Sequence, residues 1–128
     1  MPKKKLPTLK QLQSKADKLL QTKGRKVFDK CEICGAPIHC LHHFFTKSSS
    51  ARLRYEWDNM IPICQGCHFK HHTSFDPHIN VTILRKRGFD WYDNLVEIKK
   101  QSVKTNRVYY NNILKKLLSS ESDFKKEI

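Results

Sequence analysis

Two short cysteine motifs constrain this chain more than anything else in it. Cys31-Glu32-Ile33-Cys34-Gly35 and Cys64-Gln65-Gly66-Cys67 are both C-x-x-C units, and 29 residues (35–63) separate them. Each unit can wrap a tight turn around one metal ion and present two thiolates, with Gly35 and Gly66 supplying backbone freedom. Four thiolates in tetrahedral array favour a structural Zn²⁺ on Cys31, Cys34, Cys64 and Cys67. A redox C-x-x-C is the alternative, but that chemistry needs only one pair. The fifth cysteine, Cys40, is left over and reads as a small buried strand residue.

A staple of this kind suits the rest of the chain. Hydrophobic residues make up 38% of 128 positions, and the central segment has few of them. One domain with helical extensions is expected, with a thin core that needs a metal or disulfides. No apolar run approaches the roughly 20 residues of a membrane span. The basic start, Met1–Lys10, lacks the apolar stretch of a secretory signal. A reducing, cytoplasmic setting is therefore expected (host cytoplasm if the chain is phage-encoded), in which paired cysteines point to metal.

The formal charge is +13, and the first thirty residues carry ten Lys/Arg against two acids. So concentrated an excess favours a polyanionic partner over a merely solubilising role. The pattern divides the chain into a basic N-terminal helix or arm (1–26), a stapled core (27–76) and a C-terminal helical extension (77–128). Met1–Pro7 reads as a disordered lead-in. Leu9, Leu12, Ala16, Leu19 and Leu20 share one face of a helix from about Leu9 to Lys23, capped by Thr8 and ended by Gly24. The core reads as a strand near Ile38–Phe45, a loop over about Thr46–Asp58, a strand near Asn59–Ile63 and a helix from about Gln65. Beyond Pro77, three helices are expected. One carries Ile79, Ile83 and Leu84 and ends before Gly88. The next is capped by Asp90 and carries Leu95, Val96 and Ile98. The last runs from about Val108 to Leu118, followed by a frayed tail, Ser119–Ile128.

Residues 27–73 also hold six of the seven histidines. His68 and His72, four apart, share a helix face and can bind one cation. The stapled hairpin delivers His42 or His43 to the same place. Neighbours on a strand point to opposite faces, so one of the pair can bind metal while the other handles protons. A crowded zinc site that uses a histidine in place of a cysteine is the competing arrangement. Asn59 opens the second strand although asparagine is depleted in strands. It serves either turn chemistry or the backbone that carries the base.

The order C-x-x-C, His-His, Asn, C-x-x-C-His resembles the HNH endonucleases of the ββα-metal (His-Me finger) superfamily. His43 matches the first H, Asn59 the N and His68 the last H. Over about residues 10–105 the chain looks most like the phage NinG-type recombination nucleases, through Lys15-Ala16-Asp17-Lys18-Leu19, His43-Phe44, Leu53-Arg54-Tyr55-Glu56 and Ile83-Leu84-Arg85-Lys86-Arg87-Gly88. The resemblance implies an α+β fold, with a small ββα-metal core stapled by the four cysteines and flanked by helices. It implies a metal-dependent DNA endonuclease that leaves 5′-phosphate and 3′-hydroxyl ends. His43 is then the general base, Asn59 positions its loop, and His42, His68 and His72 hold one catalytic divalent cation, with His71 a substitute for His72. Many HNH proteins carry Asp where this chain has His42, so the ion is open among Mg²⁺, Mn²⁺, Zn²⁺ and Ni²⁺.

Arg52, Arg54 and Lys70 lie close in sequence to these residues and are expected to hold phosphates. Lys10, Lys15 and Lys18, with Lys3, Lys4 and Lys5, are expected to track a double-stranded or branched DNA backbone without reading its sequence. Two other readings compete. One is a non-catalytic zinc-ribbon DNA-binding protein, which leaves the histidines idle. The other is an HNH restriction or homing enzyme or packaging nickase, although no separate sequence-reading module is visible.

Overall fold

The computed structural model describes residues 5–74 and 77–119. The lead-in lysines Lys3 and Lys4 and the tail from residue 120 lie outside the described residues. The order is α1 (Leu9–Val27), β1 (Cys40–His43), a 3₁₀ turn (Trp57–Asn59), β2 (Met60–Ile63), α2 (Gln65–Ser74), α3 (Pro77–Arg87), α4 (Phe89–Lys99) and α5 (Arg107–Leu117). β1 and β2 form a two-stranded antiparallel sheet in which Leu41 faces Pro62, His42 faces Ile61 and His43 faces Met60. The architecture is α+β as expected: one hairpin, helices around it, and four cysteines gathered near its base. Among the described residues no helix is long and apolar enough to cross a membrane.

Each face of this small sheet has its own core. On one side Leu41 and Met60 pack with Leu12, Ala16 and Leu20 of α1 and with Tyr110, Leu114 and Leu117 of α5. On the other, Ile61 and Ile63 pack with Cys31, Cys64, Cys67 and the α3 residues Ile79 and Ile83. The alternation of strand side chains sorts them this way. The first core draws on all three sequence segments, with α1 one of its layers.

The first helix starts where expected. Thr8 accepts from the Gln11 N–H at 3.1 Å, and the Gln11 side chain accepts from the Thr8 N–H at 2.8 Å, a reciprocal cap. It does not end where expected. Gly24 lies inside α1, is buried, and the helix continues to Val27. Its use is close approach: a Cβ at Gly24 would lie 2.2 Å from Leu41 Cδ1. Helix and strand pack closely enough there that only hydrogen fits.

Gly66 also departs from expectation. It sits in the first turn of α2, and Gly35 and Gly88 alone among the described glycines have positive φ. The second cysteine pair is therefore presented by a helix start, while the first is presented by a tight turn with Gly35 at φ 79°. Likewise Gly88, not Asp90, holds the N-cap position of α4, and Asp90 lies in its first turn.

Arg87 at the end of α3 ties the outer layer to the hairpin. Its guanidinium makes a two-pronged pair with Glu32 (2.9 and 2.7 Å) and donates to the carbonyls of Asp58 and Met60. Forked pairing of this kind fixes geometry as well as charge.

Gly24→Val should therefore destabilise the protein by about 1–3 kcal/mol, because the new side chain must displace the buried Leu41. Urea unfolding of the zinc-loaded protein checks this, and unchanged stability would contradict the close approach.

Candidate metal centre and catalytic cleft

Cys31, Cys34, Cys64 and Cys67 place their sulfurs within 4.8 Å of one another. Cys34 Sγ lies 3.5 Å from Cys64 Sγ. Sulfurs each about 2.3 Å from a tetrahedral zinc stand roughly 3.8 Å apart, so the donor set fits such an ion. The turn is prepared for anionic sulfur. The Ile33 and Cys67 N–H groups point at Cys31 Sγ and Cys64 Sγ, each at 3.4 Å, and the latter contact pulls the Cys64 thiol below its ordinary range.

The same turn launches α2. The His68 N–H donates to the Cys64 carbonyl at 3.0 Å, so cysteine pair and helix share one frame. Four-residue spacing then brings His72 beside His68, with their Nε2 atoms 2.8 Å apart. His42 comes from β1, its ring centroid 5.8 Å from that of His68 and 5.9 Å from that of His72. His42, His68 and His72 each offer a nitrogen within 4.8 Å of the others.

Two observations favour a cation at this cluster. Among the described residues His42 Nε2 is buried without a hydrogen-bond partner, a costly state for a polar atom. Nitrogens each about 2.1 Å from one cation at a right angle stand roughly 3 Å apart, close to the His68–His72 separation. Burial, then the charges of His71, His68 and His72, push His42 down to about 3. Burial also lowers His68. Neutral imidazole is the form that binds metal. His71 stacks edge-on against His42 at 4.4 Å, outside the three-nitrogen group.

His43 turns the other way. Its Nε2 lies 2.9 Å from the Arg54 carbonyl. A carbonyl only accepts, so Nε2 carries the proton and, in the neutral ring, Nδ1 holds the free lone pair. Burial lowers the His43 pKa, and the bond to the Arg54 carbonyl partly offsets that. Asn59 is fully buried beneath this loop. Its Oδ1 accepts from the Phe45 N–H at 2.8 Å, and its Nδ2 donates to the carbonyls of Phe45 (3.0 Å) and Leu53 (3.2 Å). One side chain thus joins the start and the far side of the loop that follows His43.

His42, His43, His68 and His72 all line one cleft of about 410 Å³, with Lys47 and Gln21 at its rim. A second hollow of about 450 Å³ adjoins it, shares Gln21, His43 and Lys47, and adds Lys18 and Arg25 of α1. Lys18, Arg25 and Lys47 make no ion pair among the described residues.

The arginines singled out from sequence are committed elsewhere. Arg54 forms a two-pronged pair with Asp17 (3.0 and 2.6 Å), and Arg52 pairs with Glu56 at 2.8 Å and donates to Gln101 at 3.2 Å. Each guanidinium is thus held by an acid of the chain itself. Lys10, Lys15, Lys18 and Lys70 are exposed, but only Lys18 borders the clefts. Sequence reasoning missed Lys47, Arg25, Asp17 and Gln21. Lys47 carried a faint signal, lying four residues beyond His43. The others lie on a helix whose polar face reads as solvated.

Comparison with known proteins fits this geometry. Residues 31–74 match the family model of the HNH endonuclease. A mitochondrial DNA mismatch repair protein, a mutS homolog of Sarcophyton glaucum, is 40% identical over 48 residues, which cover 34% of this chain and 5% of that protein. No solved structure matches this chain.

Two measurements follow. Protein purified without added metal should contain about one zinc per chain, and Cys34→Ser should lose it and unfold the centre, since structural zinc contributes on the order of 10 kcal/mol in small domains. Asn59→Ala should lower stability by about 1–3 kcal/mol, because it strands the loop's buried polar groups. Thermal melting checks it, and an unchanged midpoint would rule out the proposed loop clasp. The residues that match the HNH endonuclease family model, 31–74, span both cysteine pairs, the histidine cluster and Asn59.

Proposed function

We propose that this chain is a metal-dependent DNA endonuclease that hydrolyses phosphodiester bonds, with His43 as general base and His42, His68 and His72 as ligands of one divalent cation. The observation that carries the reading is the division of labour between adjacent residues of β1. His42 joins the histidine cluster over α2, His43 meets the Arg54 carbonyl on the opposite side, and both border one cleft. The match of residues 31–74 to the HNH endonuclease family supports it, and DNA is the substrate on which such nucleases act.

The chain's own residues would work as follows. His43 presents an unprotonated Nδ1 able to take a proton from water, help typically worth roughly 10²–10⁴-fold. Its lowered pKa keeps that nitrogen free at neutral pH. Asn59 holds the loop so that ring and carbonyl stay in register. Lys47, Arg25 and Lys18 border the path a phosphate backbone would follow past His43. A divalent cation, when bound, supplies charge to offset the negative phosphate oxygens in the transition state. Imidazole donors suit Zn²⁺, Ni²⁺ or Mn²⁺, and Mg²⁺ with waters and phosphate oxygens remains within the proposal.

The finer reading is processing of branched DNA in phage-type recombination, supported by the NinG-like stretches at residues 15–19, 53–56 and 83–88. The relative's name, a DNA mismatch repair protein, agrees with a DNA-processing role. A reducing cytoplasm suits the thiolate staple.

His43→Ala should abolish plasmid nicking while calorimetric titration still shows the divalent cation binding. His68→Ala should abolish nicking by weakening that binding, and excess metal should restore part of it. Nicking by His43→Ala at the unaltered rate would sink the base assignment. An unaltered protein that binds DNA without cutting any linear, nicked, flap or four-way-junction substrate would favour a non-catalytic zinc-ribbon role.

A further inference from the structure

We propose that Asp17, on α1 and outside the HNH-matching segment, is a positioning residue for His43, acting through Arg54. The proposal rests on the reading of His43 as the base. The Arg54 carbonyl that accepts from His43 Nε2 lies in the segment between the strands, where no sheet ladder holds it. Something else must fix it. Asn59 holds the neighbouring Leu53 carbonyl at 3.2 Å. The side chain of Arg54 itself is gripped by both oxygens of Asp17, at 3.0 and 2.6 Å. The next residue repeats the attachment, with the Tyr55 hydroxyl donating to Asp17 Oδ1 at 2.9 Å. Two consecutive residues thus hang from one carboxylate on a helix whose other face is buried in the core.

One helical turn later, Gln21 grips the strand that bears His43. Its Nε2 donates to the Leu41 carbonyl at 2.9 Å, and its Oε1 accepts from the Leu41 N–H at 2.8 Å. Leu41 and Pro62 form a non-hydrogen-bonded pair of the ladder, so the Leu41 N–H and carbonyl point away from β2 and are served from α1. Asp17 and Gln21, four apart, share one face of α1. The helix therefore holds the strand carrying the ring with one residue and the segment carrying its acceptor with the other. The distance between ring and acceptor is set by a rigid third body. Chemistry that needs Nδ1 aimed at a water is sensitive to displacement of that ring, and a shift of about 1 Å can cost roughly 100-fold.

The test uses the zinc-loaded full chain and three variants: Asp17→Asn, nearly the same shape without the charge; Arg54→Lys, which keeps the charge but not the fork; and Tyr55→Phe, which leaves the ion pair. Zinc content and thermal melting establish folding. In ¹⁵N-labelled unaltered protein, without DNA or added catalytic metal, the His43 Nε2–H should give a cross-peak protected from solvent exchange. Asp17→Asn should speed that exchange at least about tenfold. On a nicked-plasmid assay, kcat should fall by on the order of 10- to 100-fold with KM within about twofold, because a step after binding is affected. Arg54→Lys should behave similarly, and Tyr55→Phe, which removes only the second attachment to Asp17, should lower kcat less than either. Should Asp17→Asn fail to fold, Arg54→Lys breaks the same fork from the other end. A protected cross-peak and full kcat in both Asp17→Asn and Arg54→Lys overturn the proposal, as does an unprotected His43 Nε2–H in the unaltered protein. If His43→Ala still nicks DNA, the base assignment fails, while the exchange measurement still decides whether Asp17 positions the ring.

Discussion

The four cysteine sulfurs, all within 4.8 Å of one another, close a segment that has little else to close it. Its sheet is two strands of four residues, and an isolated hairpin of that size is marginal in water. The two cores that flank it are small and lie on opposite faces. A structural metal contributes on the order of 10 kcal/mol in such domains, more than either core could add by one further side chain. The closure also aims the site. Cys67 immediately precedes His68, and the Cys64 carbonyl accepts the His68 N–H, so the turn that gathers sulfur also sets the rotational phase of α2. That phase decides whether His68 and His72 face β1 or solvent.

The second constraint is the pleat of β1. Because neighbours on a strand face opposite ways, His42 and His43 could not both enter the histidine cluster without breaking the sheet. The chain exploits this by placing a different layer over each face. α2 meets the His42 side. On the His43 side, α1 supplies Gln21 to the strand and Asp17 to Arg54, and the approach at Gly24 lets the helix lie that close. The basic helix α1 is thus a wall of the cleft.

Much of this was legible in the sequence, for reasons that are local. The C-x-x-C spacing, the four-residue interval between His68 and His72 and the Thr8 cap are short-range patterns whose physics does not depend on the rest of the fold. The helix and strand boundaries around Gln65 and Ile63 followed from them. What was not legible depends on contacts distant in sequence. Gly24 looks like a helix stop until Leu41 is seen packed against it. The pairing of Arg54 with Asp17 is likewise invisible until the segments meet. Asp17 and Gln21 fall on a polar helix face, and nothing local distinguishes a face turned to water from one turned to the Leu41 backbone and the side chains of Arg54 and Tyr55.

The character of the donor set carries a last consequence. The histidine cluster holds three imidazoles and, among the described residues, no carboxylate. The acid that lines the adjoining hollow, Asp17, is already paired with Arg54. A carboxylate ligand would cancel part of a divalent ion's charge, whereas imidazoles leave all of it directed at the cleft. The surrounding side chains Lys18, Arg25 and Lys47 are also cationic and unpaired among the described residues. Such a pocket repels a free cation more than an acidic one would, so lone-pair donation must supply the affinity that charge does not. That favours ions bound strongly by nitrogen. It also means that a phosphate entering the cleft would meet positive charge from both the ion and the rim, so that metal and polyanion would each strengthen the binding of the other.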